Sequence, residues 1–131
     1  MTLVIDASAA IDAGQFRSGF DRFGGESLVA PPLFHSEIRS ALHEAMWRGV
    51  IGGERGRSWL GTIEAAPIRI RTHRRLSEES WRVADDLGWA KTYDAEYLAL
   101  ARLLRCRLVT TDLRLRRGTE RLGFVITPRE L

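Results

Sequence analysis

The segment Leu3-Val-Ile-Asp-Ala-Ser8 joins a short apolar run to a helix-forming stretch through a single acidic residue. The sequence predicts a buried strand over residues 2–5 and a helix over residues 7–13. Asp6 is therefore expected at the carboxyl end of a strand. In parallel α/β sheets, ligands bind outside that end of the strands.

The same strand-then-acid arrangement recurs near the end of the chain, in Val109-Thr-Thr-Asp112. Between the two, strand-like runs alternate with helix-like ones, which predicts an α/β layer with a mainly parallel sheet. The predicted strands cover residues 2–5, 28–30, 68–70, 107–111 and 124–127, the last at an edge of the sheet. The predicted helices cover residues 33–48, 54–65, 77–87 with Ser77 as N-cap, and 94–104, followed by a short one ending near 117.

Two further acids occupy positions where chemistry is expected. Glu37 lies in the helix predicted over 33–48, and Asp94 opens the helix predicted over 94–104. If Asp6, Glu37, Asp94 and Asp112 converge, they form an oxygen-only cluster of the kind that suits Mg²⁺ or Mn²⁺. Such a cluster repels itself without a cation, so its assembly in one pocket implies metal binding.

Each acid also has a simpler interpretation. Asp6, Asp94 and Asp112 all precede helical segments, and Asp is a favoured N-cap residue. Glu37 fits a solvent-facing flank of its helix, and Glu44, two turns later on a similar face, is a rival candidate. Capping and metal binding are compatible at one residue, so the alternatives remain open at this stage.

Small hydroxyl residues accompany two of the acids. Ser8 follows Asp6 by two positions, and Thr110 precedes Asp112 by two. Either hydroxyl is able to hold a neighbouring carboxylate in place by donating a hydrogen bond. Their simpler interpretations are a helix-start residue for Ser8 and an ordinary β-branched strand residue for Thr110.

Composition narrows the class of protein. The 131 residues fit one domain spanning positions 1–131. No apolar run reaches the roughly 18 residues of a membrane span, and the single Cys106 fits a reducing compartment, so we expect a cytoplasmic protein without a membrane partner. The net charge is +3, and almost all of the positive charge is on arginine, because Lys91 is the one lysine. This modest excess favours a nucleic-acid partner only weakly.

Four segments, in order along nearly the whole chain, resemble the motifs of PIN-domain proteins and, more closely, of VapC-type toxins from toxin–antitoxin pairs. They are Val4-Ile-Asp-Ala-Ser-Ala9, Pro32-Leu-Phe-His-Ser-Glu-Ile-Arg-Ser-Ala-Leu42, Tyr93-Asp-Ala-Glu-Tyr-Leu-Ala-Leu-Ala101 and Leu108-Val-Thr-Thr-Asp-Leu-Arg-Leu115. The third is the most specific. The chain departs from the family at Ser40, where an Asn is frequent three residues after the glutamate.

The resemblance implies a three-layer α/β/α PIN-like domain and a Mg²⁺- or Mn²⁺-dependent endoribonuclease. Asp6, Glu37, Asp94 and Asp112 match the acids that hold the metal and carry out catalysis in the family, while Ser8 and Thr110 match supporting hydroxyl positions. It also implies a homodimer, a cognate VapB-type antitoxin as partner, and an RNA substrate such as tRNA, rRNA or mRNA.

Two other functions remain possible from the sequence. One is a catalytically silent RNA-binding protein with the same fold, against which the intact set of acids argues. The other is a phosphoacceptor receiver domain, which also has an acidic Mg²⁺ pocket but needs a lysine at a later strand end. Lys91 instead precedes a helix, so the receiver interpretation is the weaker one.

Overall fold

A computed structural model describes all 131 residues and contains one five-stranded sheet in which every pair of neighbours is parallel. The strands are β1 (Thr2–Ile5), β2 (Ser27–Ala30), β3 (Ile68–Ile70), β4 (Arg107–Val109) and β5 (Val125–Ile126). Their order across the sheet is β3-β2-β1-β4-β5. The prediction of a mainly parallel sheet with the last strand at an edge is confirmed.

Helices cover the sheet in two groups. They are α1 (Ala7–Gly14), α2 (Phe34–Trp47), α3 (Gly53–Ala65), α4 (Leu76–Leu87), α5 (Tyr93–Leu104) and α6 (Leu113–Gly118), with short 3₁₀ turns at Gly19–Phe23, Glu120–Leu122 and Pro128–Glu130. The chain runs from β1 outward to β3 and then crosses back to β4. Because such crossovers are right-handed, α1 to α3 and α4 to α5 lie on opposite faces. The three-layer α/β/α prediction is confirmed.

The hydrophobic core holds in place the strand and the helix that carry Asp6 and Asp94. A cluster of 27 buried hydrophobic residues fills the space between the layers. The central strand β1 has Leu3, Val4 and Ile5 fully buried, as expected for a strand covered on both faces. Helix α5 is buried along most of its length from Ala95 to Ala101 and packs on β1 and β4. Asp6 and Asp94 therefore lie at the ends of two well-buried elements, β1 and α5.

Several predicted boundaries were wrong. Helix α4 begins at Leu76 rather than after a Ser77 cap, because the side chain of Leu76 is drawn into the core. The Ser80 hydroxyl donates to the Leu76 carbonyl at 2.6 Å, within the first turn of the helix. Strand β4 ends at Val109, since the Thr111 amide turns away to the Ser8 hydroxyl.

None of the helices is both long and apolar enough to cross a membrane.

Candidate active site

Asp6 is a buried carboxylate at the end of β1. It caps α1, with Oδ1 accepting the Ala9 amide at 2.9 Å and the Ser8 hydroxyl at 2.8 Å. The residue is 6% exposed, and this burial raises the pKa of its carboxyl to about 6. Hydrogen bonding from Thr110, Ala9 and Ser8 opposes the shift without cancelling it. Asp6 is thus both a cap, as its simpler interpretation predicted, and an electrostatically perturbed acid.

A chain of hydroxyl groups links Asp6 to the end of β4. Ser8 Oγ also lies 3.1 Å from Thr110 Oγ1, in a hydrogen bond for which either hydroxyl is able to be the donor. Ser8 Oγ also accepts the Thr111 amide at 3.1 Å, and Thr110 Oγ1 accepts the Asp112 amide at 3.0 Å. The two hydroxyls predicted from sequence therefore fix the ends of β1 and β4 against each other.

Asp112 lies at the far end of this network. Its Oδ1 accepts the Arg114 amide at 3.0 Å and the Leu115 amide at 3.2 Å, so Asp112 is the N-cap of α6. In Asp6 and Asp112 alike, the capping bonds go to Oδ1. Oδ2 of each carboxylate is left without a capping role.

Glu37 is held by a tyrosine that the sequence analysis did not single out. The Tyr97 hydroxyl donates to Glu37 Oε1 at 2.6 Å, and the Tyr97 side chain is 1% exposed. Burial raises the pKa of Glu37, the bond from Tyr97 lowers it, and the charge of Asp94 raises it. A usable signal was present, because a tyrosine on the apolar face of a helix needs a partner for its hydroxyl when it is buried.

The rival Glu44 is excluded from this site. It is exposed on the outer side of α2 and forms an ion pair with Arg48 at 2.9 Å. Glu37 and Glu44 therefore belong to different environments on one helix.

Asp94 is the electrostatic centre of the group. Helix α5 begins one residue before it, so Asp94 is not the N-cap, contrary to the capping interpretation. Partial burial raises the pKa of Asp94 first, and the charge of Asp112 adds to the effect. The charge of Asp94 in turn raises the pKa of Asp6 and of Glu37. A further acid, Glu96, has its pKa raised by burial and by Glu37, and sequence reasoning missed it.

No arginine or lysine neutralises these acids. The ion pairs of the chain involve other carboxylates, on residues Asp12, Glu26, Glu44, Glu78, Glu79 and Glu130. Lys91 lines a pocket of about 540 Å³ together with Glu37 and Asp94, yet it pairs with neither. Although the chain contains 20 lysines and arginines, none of them forms an ion pair with Asp6, Glu37, Asp94 or Asp112.

The four predicted side chains all have carboxylate oxygens as possible ligands, and none of them forms an ion pair with an arginine or lysine. Such oxygen ligands suit a hard divalent cation. The full convergence expected from sequence is not reached, because no three His, Cys, Asp or Glu side chains are assembled as a metal-binding group. The acids meet at one edge of the sheet and act on one another through charge, with Oδ1 of Asp6 and Asp112 and Oε1 of Glu37 already engaged by the protein.

The fold and the site together define a class of protein: a parallel α/β domain with unpaired carboxylates beyond the carboxyl ends of its strands. No family model matches the chain. A VapC ribonuclease of Mycobacterium bovis and Ribonuclease VapC9 of Mycobacterium tuberculosis are each 36% identical over 132 residues, covering 97% of this chain and 99% of theirs. Ribonuclease VapC1 of Mycobacterium tuberculosis is 34% identical over 121 residues, covering 86% of each chain. The chain belongs to the VapC ribonuclease family.

Solved structures agree at the level of fold. The crystal structure of PAE2754 from Pyrobaculum aerophilum matches 99% of this chain and 91% of its own with a TM-score of 0.75 at 22% identity. A toxin-antitoxin complex from Klebsiella pneumoniae matches 96% and 97% with a TM-score of 0.63 at 20% identity. The resemblance to VapC-type PIN-domain proteins, expected from four sequence segments, is confirmed.

Proposed function

We propose that this protein is a Mg²⁺- or Mn²⁺-dependent endoribonuclease that acts as the toxin of a toxin–antitoxin pair. One observation carries the proposal. Four carboxylates lie at the carboxyl edge of a parallel sheet and form no ion pair with a protein cation, and burial raises the pKa of three: Asp6, Glu37 and Asp94. Such a site is suited to an external cation, and membership of the VapC ribonuclease family supplies the reaction.

Asp6, Glu37, Asp94 and Asp112 would hold the ion. A bound Mg²⁺ or Mn²⁺ lowers the pKa of a coordinated water and stabilises charge on a scissile phosphate. The protein's part is to aim the oxygens. The Ser8 and Thr110 hydroxyls position Asp6 and Asp112. Tyr97 holds Oε1 of Glu37 and leaves Oε2 free to bind the ion.

The departure at Ser40 bears on the rim of this site. Ser40 lines a pocket of about 320 Å³ with Glu37 and Tyr93. A serine there retains one hydroxyl next to the glutamate, in place of the amide that is frequent in the family. Tyr97, which is buried in the core, supplies an orienting bond to Glu37 that does not involve position 40.

The substrate in this proposal is RNA, whether tRNA, rRNA or mRNA, and the partner is a VapB-type antitoxin. The antitoxin is supported by family membership and by the similarity in fold to the Klebsiella pneumoniae toxin-antitoxin complex. A homodimer is proposed from family membership alone. The receiver-domain alternative is set aside, because the VapC relatives match over almost the entire chain.

The deciding experiment incubates the purified protein with total cellular RNA in Mg²⁺, in Mn²⁺ and in EDTA, and maps the cleavage sites. We expect discrete cuts with either metal and none in EDTA. Intact RNA under all three conditions, with the protein shown to be folded, would favour the catalytically silent RNA-binding alternative.

A further inference from the structure

An exposed aromatic ring stands beside the acidic site and has no role in the proposed metal chemistry. Tyr93 is the first residue of α5, directly before Asp94, and its side chain is 58% exposed. It contributes to the pocket that contains Glu37, Asp94 and Lys91 and also to the smaller pocket beside Glu37 and Ser40. The ring is therefore shared by two cavities that both reach the glutamate.

Helix α5 carries two tyrosines, one turn apart, with opposite surroundings. Tyr97 is buried in the core and donates to Glu37, whereas Tyr93, one turn earlier, faces solvent. Buried Ala95 and Tyr97 anchor the backbone of this turn. The exposed ring is consequently held by a rigid element at a fixed place next to the acids, as a binding platform requires.

Flat aromatic faces in such a position suit one class of ligand. Every nucleobase presents a π-face that stacks on aromatic side chains with little regard for sequence, and unpaired RNA bases are recognised in this way. Lys91, in the same pocket, offers the positive charge that a neighbouring phosphate needs. Stacking also provides attraction that does not depend on neutralising the carboxylates, which by themselves repel a phosphate chain.

We propose that Tyr93 and Lys91 form a nucleotide-binding subsite, in which Tyr93 stacks on an unpaired base and Lys91 holds the adjoining phosphate. This inference rests on the proposed function, because it takes RNA as the substrate. The two side chains would thereby retain an unpaired nucleotide next to Glu37 and Asp94.

The test measures binding rather than turnover. Fluorescence anisotropy compares a labelled oligoadenylate with an abasic ribose-phosphate chain of the same length and charge, both in Mg²⁺. An Asp6→Asn background prevents cleavage during the measurement. Into it are placed Tyr93→Ala, Tyr93→Phe, Lys91→Ala and, as a control, Trp47→Ala. Trp47 is also an exposed aromatic residue, at 81% against 58% for Tyr93, but lies ten residues beyond Glu37 on α2, about 15 Å along the helix axis.

We expect Tyr93→Ala to weaken oligoadenylate binding by about 5- to 140-fold, the range measured for one stacked base, and to leave the abasic chain unchanged. Tyr93→Phe should retain the binding, since the ring and not the hydroxyl makes the contact. Lys91→Ala should weaken both probes by the same factor, and Trp47→Ala should affect neither. The three side chains that these four variants change are all exposed, so the variants are expected to fold.

The subsite is wrong if the background protein binds both probes equally or binds neither, or if Tyr93→Ala changes both alike or Tyr93→Phe loses as much as Tyr93→Ala. Cleavage of cellular RNA by the wild type together with base-independent binding would leave the ribonuclease standing and overturn the subsite alone. Base-dependent binding lost in Tyr93→Ala, without any cleavage by the wild type, would support the subsite and overturn the ribonuclease.

Discussion

Two buried carboxylates of this protein lie in opposite surroundings. Glu79 in α4 is 5% exposed and forms ion pairs with Arg82 at 3.4 Å and Arg102 at 3.2 Å. Asp6 at the end of β1 is as deeply buried, yet its partners are hydroxyls and one amide, with no cation. The chain contains 20 lysines and arginines, so a shortage of cations does not explain the difference.

The two sites differ in whether the chain supplies a counter-charge to the buried carboxylate. A buried charge is tolerated when the chain supplies its counter-charge, as it does for Glu79. Around Asp6 the chain supplies no cation, so burial raises the pKa of Asp6 to about 6, and the negative charge of Asp94 adds to the rise. Glu79 thus belongs to a self-contained group with Arg82 and Arg102, whereas the acids at the sheet edge have no counter-charge from the chain and, in the function proposed above, take it from a divalent cation.

The largest contrast is expected between two glutamates on one helix. Glu37→Gln should reduce RNA cleavage by more than about 100-fold, because losing a metal ligand costs more than losing a group that merely orients one. Glu44→Gln, whose carboxylate pairs with Arg48 at the surface, should remain within about twofold of the wild type. Initial rates of cleavage at a mapped site, with circular dichroism to verify folding, provide the comparison. Equal losses in the two variants would contradict the assignment of Glu37.

The stability of the metal-free protein should respond with opposite signs to changes at the two buried acids. In EDTA at pH 7, Asp6→Asn should raise the free energy of unfolding by up to about 3 kcal/mol, since an uncharged side chain escapes the penalty that the raised pKa represents. Glu79→Gln should lower it by about 1–2 kcal/mol, a moderate loss because Arg82 and Arg102 are partly exposed and screened. Urea unfolding measures both, and changes of the same sign would contradict the comparison.

The pH dependence of the wild type follows from the same shift. The pKa of Asp6 is about 6 in the folded state and near 3.8 when unfolded, so the folded state binds this proton more tightly. Its contribution to stability is fully present below pH 3.8 and is lost as the pH rises through 6. The difference between Asp6→Asn and the wild type should therefore shrink as the pH falls from 7 to 4. A difference that stays constant would show that the charge of Asp6 is not responsible.

A smaller effect is expected from Tyr97→Phe, which removes one hydroxyl and nothing else. Because that hydroxyl orients Glu37, Mn²⁺ affinity and cleavage should both fall by about 10- to 100-fold. Calorimetric titration with Mn²⁺ separates this from a purely structural role, since a loss of stability alone leaves the affinity of the folded protein unchanged. Tyr93→Phe is the matched control on the same helix.

Much of the candidate site was predictable because the ends of buried strands can be recognised in the sequence. Asp6 and Asp112 follow apolar β-branched runs, and parallel strands bring their carboxyl ends to one edge, so these two acids and their hydroxyl neighbours were placed correctly. The start of α5 was misjudged by one residue. There the packing of the helix on β1 and β4, rather than an acidic cap, decides where it begins.

The remaining parts of the site depend on contacts across the chain that no local pattern encodes. The bond between Tyr97 and Glu37 joins residues 60 positions apart, and the coupling of Glu96 to Glu37 likewise requires the packed fold. How closely the four acids approach one another could not be predicted from the sequence either. Helix caps and the tyrosine hold individual oxygens, so the acids share an edge without forming a ready-made ligand group.

The most direct test of the central claim is the effect of Asp94→Asn on stability with and without metal. Asp94 caps no helix, and its charge raises the pKa of both Asp6 and Glu37, so its neutralisation relieves repulsion while leaving the capping bonds intact. Unfolding of the wild type and of Asp94→Asn is measured in EDTA and in saturating Mn²⁺. We expect the variant to be more stable than the wild type in EDTA, by less than about 1 kcal/mol.

In Mn²⁺ the order should reverse. The wild type should gain about 2.7 kcal/mol at one hundred times its dissociation constant, and the variant should gain clearly less. A variant that is less stable than the wild type in EDTA and gains as much from Mn²⁺ would contradict the claim that these acids form a site for an external cation.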